Sequence, residues 1–146
     1  MTRQIMVELA DRMSALASMP LLGGCPSAEL EQIALRAHVL SFDDGEVIVP
    51  EGEEGLGFYF LIEGSARVLR GNREVARLNK GDYFGEISLL EGDPRNATVV
   101  AVGAATCMGI LRSFFRPLLA RNPRLALRIL DEELRRTGAL GEEDRG

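Results

Sequence analysis

The sequence predicts a mainly β domain, a sandwich or barrel, with helices flanking it at both ends. Two observations lead there. Between residues 39 and 111 short apolar segments alternate with glycine turns, at 39–42, 46–49, 57–62, 66–70, 74–78, 98–102 and 106–111. Many short strands at regular spacing fill a two-layered or closed sheet. Before and after this region, apolar residues recur every three or four positions, which is a helix period.

The elements follow in order. Residues 2–18 read as a helix, because Ile5, Leu9, Met13 and Leu16 fall on one line while Arg3, Glu8, Asp11 and Arg12 lie mostly off it. Met19 to Pro26 is a loop with Pro and Gly at both ends, and Leu21 and Leu22 are expected to tuck against the domain. Ser27 is the expected N-cap of a second helix, with Glu29 and Glu31 in the first turn, where acids suit the dipole. That helix runs to about Ala37 through Leu30, Ile33, Ala34 and Leu35.

In the strand region the turns carry Asp44-Gly45, Glu51-Gly52, Glu63-Gly64, Arg70-Gly71-Asn72 and Lys80-Gly81-Asp82. Phe58, Phe60 and Ile62 alternate with Tyr59 and Leu61, so this strand is apolar on both faces. After Leu111, Ser113 is the expected cap of a helix over 114–120. Asn122-Pro123 then starts another, with Asn as cap and Pro at the first helical position. Leu127, Leu130 and Leu134 form its apolar line, and Asp131 with Arg135, and Glu132 with Arg136, are (i, i+4) pairs. Gly138 is a stop, and the polar tail from Gly141 is expected to fray.

The segment from Phe84 to Thr98 holds the chemistry. Gly85 lets the backbone turn and approach a ligand. Residues 86–90 suit a helix of about one and a half turns, stopped by Gly92-Asp93-Pro94. Its free N–H groups, from about Ile87 and Ser88, favour an anion. Arg95 supplies a planar cationic fork suited to phosphate. Glu86 would repel a phosphate, but it accepts from a sugar hydroxyl. An anion site beside a hydroxyl acceptor describes a ribose phosphate.

Phe84-Gly85-Glu86-Ile87-Ser88-Leu89, followed after a spacer by Pro94-Arg95-Asn96-Ala97-Thr98, resembles the phosphate-binding cassette of cyclic nucleotide-binding domains. The glycine spacing at Gly45, Gly52, Gly64 and Gly81, and the run from Phe58 to Gly64, are similar to that family as well. The likeness covers about residues 20 to 137. It implies a double-stranded β-helix (jelly-roll) barrel with N-terminal helices and C-terminal lid helices. The expected parts are an N-terminal helix and loop at 1–26, a β-roll at 27–112, and lid helices with a tail at 113–146. The resemblance also implies that Gly85 and Glu86 meet the ribose 2′-hydroxyl, that Arg95 pairs with the cyclic phosphate, and that the backbone at Ser88 and Asn96 donates to it. Ile87 and Ala97 complete the expected ligand contacts. The lid contact would come from Leu130, Leu134 or Arg135. The alternative is that the leucine line packs permanently on the barrel or on a second subunit, as in a homodimer.

Cyclic AMP is favoured over cyclic GMP, with Asn96 departing from the Ala, Ser or Thr usual after the arginine. The expected function is a sensor without enzyme activity or cofactor, relaying nucleotide binding to an unknown protein partner. The alternative is a ligand-free interaction scaffold with a vestigial cassette, or a fragment of a larger regulator. Only about nine residues follow Thr137, too few for a helix-turn-helix of usual element lengths.

Composition narrows the classes. The chain has 146 residues, 46% of them hydrophobic, enough for one domain with a core. No apolar run approaches the roughly 20 residues of a membrane helix, and the N-terminus has no signal-peptide pattern. Cys25 and Cys107 do not make a disulfide framework and read as two buried thiols in a cytoplasmic protein. A net charge of −5 argues against direct DNA binding. His38 is the only histidine, and it is expected at an element end. With no CxxC or HxH spacing, neither a metal-dependent cupin nor a serine triad is supported.

Overall fold

The computed structural model describes residues 3–50, 57–85, 97–132 and 135. Its strands are β1 (Arg3–Ile5), β2 (His38–Phe42), β3 (Val47–Val49), β4 (Gly57–Arg70), β5 (Arg73–Asn79), β6 (Tyr83–Gly85) and β7 (Thr98–Leu111). The helices are α1 (Leu9–Ala17), α2 (Ser27–Arg36), α3 (Arg112–Arg121) and α4 (residues 123–132), with a 3-10 turn at Pro20–Leu22.

All strand pairings are antiparallel, and β4 and β7 form the spine. Around the first half of β4 and the second half of β7 lie β6, β2 and β1. Around the other halves lie β5 and β3. The register between β4 and β7 shifts between Leu61 and Ser65. Bulges of this kind increase twist and bend a sheet. Gly64 sits there with φ +88°, and a Cβ would come within 2.5 Å of the Ala104 carbonyl oxygen. This is the jelly-roll arrangement, mainly antiparallel with flanking helices, although hydrogen bonds among the described strands do not close the sheet into a barrel.

The expected strands at 57–62 and 66–70 are therefore one strand, and so are 98–102 and 106–111. Gly64 and Gly103 (φ +71°) mark irregularities within long strands rather than turns between short ones.

Alternation along β4 divides the interior. Phe58 and Phe60 face the helices, in a core with Leu16, Leu22, Ile33, Phe115 and Ile129. Leu61 faces the roll, with Phe42, Val49, Phe84, Val99 and Cys107. On the helix side Phe58 stacks between Phe115, at 4.7 Å, and Tyr83, at 5.0 Å. Offset aromatic stacks at such distances add to the burial of the rings.

The flanking helices obey their own patterns with four corrections. The N-terminal helix begins at Leu9, because Arg3–Ile5 pairs with β2 and continues the sheet. Ser27 is the first residue of α2 rather than its cap; Pro26 holds the cap position, with no side-chain bond. α3 likewise starts at Arg112 after Leu111, not at a Ser113 cap. The side-chain amide of Asn122 donates to the Leu118 carbonyl at 2.8 Å, so it closes α3 as α4 begins.

In α2, Leu30, Ile33 and Ala34 are buried, while Leu35 is 56% exposed. The Arg36 guanidinium lies 4.9 Å over the Phe114 ring, joining α2 to α3. Among the described residues no helix is long and apolar enough to cross a membrane.

Candidate functional site

β6 is short, but three features fix it. Tyr83 is buried on the helix side against Phe58, and Phe84 on the roll side is stacked on Tyr59 at 5.2 Å. The turn before it is clamped to the middle of β4. The Leu61 N–H donates to the Asp82 carbonyl at 2.8 Å, and the Gly81 N–H donates to the Leu61 carbonyl at 2.9 Å. The Asp82 carboxylate accepts from the Asn79 N–H at 2.7 Å.

Gly85 ends this strand opposite Phe58. Its φ is +132°, a conformation L side chains rarely adopt, and a Cβ would stand 2.9 Å from the Gly57 carbonyl oxygen. Glycine is required here both by the dihedral and by the close approach. Gly57 itself crosses close to β7, where a Cβ would overlap the Ile110 carbonyl at 1.9 Å.

The chain leaves the sheet at Gly85 and re-enters through half-buried Ala97 and Thr98, which pairs with Leu69. The segment between them is thus anchored on the two different halves of the roll. Glu86, Ile87, Ser88, Arg95 and Asn96 lie outside the described residues, as does the helix expected at 86–90. Near the second anchor Ala66, Leu78, Val99 and Ala101 are buried in the roll-side core, with half-buried Val68 against them.

The lid candidates separate. Leu134 lies outside the described residues. Leu130 is 44% exposed and Leu127 is 64% exposed, so neither packs on the roll. The line that does pack is Leu125 and Ile129, both buried. Arg135 is ion-paired to Asp131 and, at 3.1 Å, to Glu132. It borders a groove of about 230 Å³ that also touches Asp82 and Tyr83, next to the strand that ends in Gly85. Arg128, which no sequence motif marks, donates to the carbonyls of Leu21, at 3.2 Å, and Gly23. It fastens α4 to the N-terminal 3-10 turn.

Other chemistry is sparse. Both cysteines are free, Cys107 buried and Cys25 half-buried rather than fully so. Burial pushes the Cys107 thiol up to about 12. Cys25 is raised first by burial and then by Glu29, against a lowering by Arg128. His38 opens β2, exposed, with its Nδ1 3.1 Å from the Gln4 amide. Among the described residues no group of three His, Cys, Asp or Glu side chains is placed to hold a metal.

Comparison with known proteins agrees with this geometry. Residues 39–122 match the family model of the cyclic nucleotide-binding domain. A cAMP-dependent protein kinase regulatory subunit from Mycosarcoma maydis is 36% identical over 111 residues. That alignment takes in 70% of this chain but only 21% of the relative, so the chain spans about a fifth of that protein's length. Among solved structures, cAMP-bound PfPKA-R (141-441) superposes with a TM-score of 0.77 at 31% identity, over 91% of this chain and 49% of its own. A PKAR CBD2 bound to Sp-2Cl-cAMPS gives 0.75 at 30% identity, over 92% of this chain and 95% of its own.

Proposed function

This chain belongs to the cyclic nucleotide-binding domain family, and we propose that it is a non-enzymatic sensor that takes cyclic AMP in preference to cyclic GMP. The observation that carries the reading is the strand end at Gly85, fixed by its dihedral and its approach to Gly57, directly before Glu86. Leaving the strand there, the chain would present the following N–H groups and the Glu86 carboxylate to one ligand.

In this reading Gly85 and Glu86 hold the ribose 2′-hydroxyl. The N–H groups of Ile87, Ser88 and Asn96, and the Arg95 guanidinium, hold the cyclic phosphate, with Ala97 closing the far side. The cAMP bound to PfPKA-R and the Sp-2Cl-cAMPS bound to PKAR CBD2 support cyclic AMP as the ligand. Residues 27–112 are the sensing roll. Residues 113–146, whose Arg128, Asp131, Glu132 and Arg135 share a groove with Asp82 and Tyr83, pass the signal to a protein partner. A ligand can drive such a movement only through its different affinity for two arrangements of those helices.

Base preference is testable by competition. A fluorescent cyclic AMP analogue bound to the full chain should be displaced by cyclic AMP at lower concentration than by cyclic GMP. Displacement at equal or lower cyclic GMP concentration would reverse the preference while leaving the cassette reading intact.

A further inference from the structure

A concave site lies where the segment leading into α2 faces the joint between α3 and α4. It is a cleft of about 520 Å³, a size within the usual range for ligand sites. Arg121, Arg124 and Arg128 line it, against one carboxylate, Glu29. Such a surplus of cations is unexpected in a chain of net charge −5. It comes from one stretch. Between Arg112 and Leu130 there are five arginines and no acidic residue.

The three arginines are not equivalent. Arg128 is already engaged with the Leu21 and Gly23 carbonyls. Arg121 and Arg124 are exposed, and among the described residues neither has an ion-pair partner. Their planar forks suit carboxylates in bidentate geometry. The remaining wall includes Pro26, Pro123, buried Leu125 and half-buried Cys25, which is apolar. The occupant should therefore combine carboxylates with an apolar side chain.

We propose that this arginine-lined cleft docks a short acidic, leucine-bearing peptide segment of a partner protein. A long polyanion such as nucleic acid fits less well, because beyond the cleft it would meet a surface of net negative charge. A short segment confines its charge to the arginines. The site joins the segment before α2 to the start of α4, so the occupant would bridge the N-terminal and C-terminal flanks of the roll. This goes beyond the sensor reading and does not depend on nucleotide binding.

The test uses the full chain without nucleotide and an acetylated Glu-Leu-Glu-Asp-Leu-Glu peptide, followed by amide NMR. Saturable shifts should appear at Gly24, Cys25 and Leu125. The neutral counterpart, Gln-Leu-Gln-Asn-Leu-Gln, should leave those signals in place. The double variant Arg121→Glu, Arg124→Glu should weaken binding at least about tenfold, which is about 1.4 kcal/mol. Arg73→Glu with Arg77→Glu, on β5, makes the same charge change elsewhere and should alter affinity less than about threefold. The proposal is overturned by equal binding of the neutral peptide, by undiminished binding to the cleft variant, or by an equal loss in the β5 variant. If the cleft variant fails to fold, the two peptides on the native chain decide, together with Arg121→Gln, Arg124→Gln.

Discussion

Gly85 shows how much one residue can be asked to do. Gly45 shares its positive φ, at +82°, but a Cβ there would touch nothing within 4 Å. Replacing Gly45 by Ala should cost only the left-handed conformation, about 1 kcal/mol. Replacing Gly85 by Ala adds the approach to the Gly57 carbonyl, so the loss should be larger, about 2–3 kcal/mol. Urea unfolding of both variants measures the difference, and equal losses would contradict the close approach. Gly85 was legible in the sequence because strand-ending glycine before an acid has few other uses. The rest of the site rests on residue types, motif spacing and the family resemblance, and Glu86 and Arg95 lie outside the described residues.

The two thiols give a second expectation at this scale. Cys107 keeps its proton in the fold up to about 12, far above an unfolded thiol. The protonated form contributes stability that is fully present below the ordinary thiol range of about 8.5 and is lost as pH rises toward 12. At pH 8 a thiol reagent should therefore modify Cys25 first, more slowly than a free thiol, and reach Cys107 only on unfolding. Rapid labelling of both in the native protein would contradict the burial of Cys107.

At the scale of elements, β4 explains both what the sequence revealed and what it hid. Its two apolar faces were legible because Phe58 and Phe60 alternate with Tyr59 and Leu61. Its length was not, because Gly64 looks the same whether it turns a hairpin or forms a bulge. Only the partner strand decides, and pairing with β7 is non-local. The same reason hid β1. Ile5 lies on the apolar line of a helix, yet pairing with Val39 captures it for the sheet. In α4 the leucine spacing pointed to Leu127 and Leu130, whereas Leu125 and Ile129 are the residues the core buries. Three or four phases of one helix can look apolar, and packing chooses among them.

The stack of Phe115, Phe58 and Tyr83 ties α3 to β4 and β6, the strands beside the proposed site. Phe115 is fully buried, so Phe115→Ala should lose about 3–5 kcal/mol. Denaturant midpoints with an unchanged slope would measure this. A loss below about 1 kcal/mol, within the range of ordinary surface changes, would mean that α3 is not fastened there.

For the whole molecule, the bent sheet has a consequence for sensing. The cassette begins on one half of the roll, at Gly85 opposite Phe58, and returns on the other, at Thr98 opposite Leu69. A ligand held by that segment would act on both halves together. α4 meets the helix-side core through Leu125 and Ile129 and the N-terminal turn through Arg128. A movement of α4 would therefore reach the N-terminal turn as well as the core. The family's jelly-roll was legible because its glycines and cassette motif are local in sequence. The coupling was not, because the Arg128 bonds to Leu21 and Gly23 span more than 100 residues.

In the proposed sensor Arg95 pairs with the phosphate of a cyclic nucleotide. Losing one partner of a desolvated charge pair costs about 2–5 kcal/mol, which is roughly 30-fold to a few thousand-fold in Kd. Isothermal titration of the native chain with cyclic AMP, repeated on Arg95→Ala, tests it most directly. Saturation should come near one nucleotide per chain, with affinity at least about 30-fold weaker in the variant. No heat and no thermal shift with the native chain at millimolar nucleotide would contradict it, as would a loss of less than about threefold in Arg95→Ala.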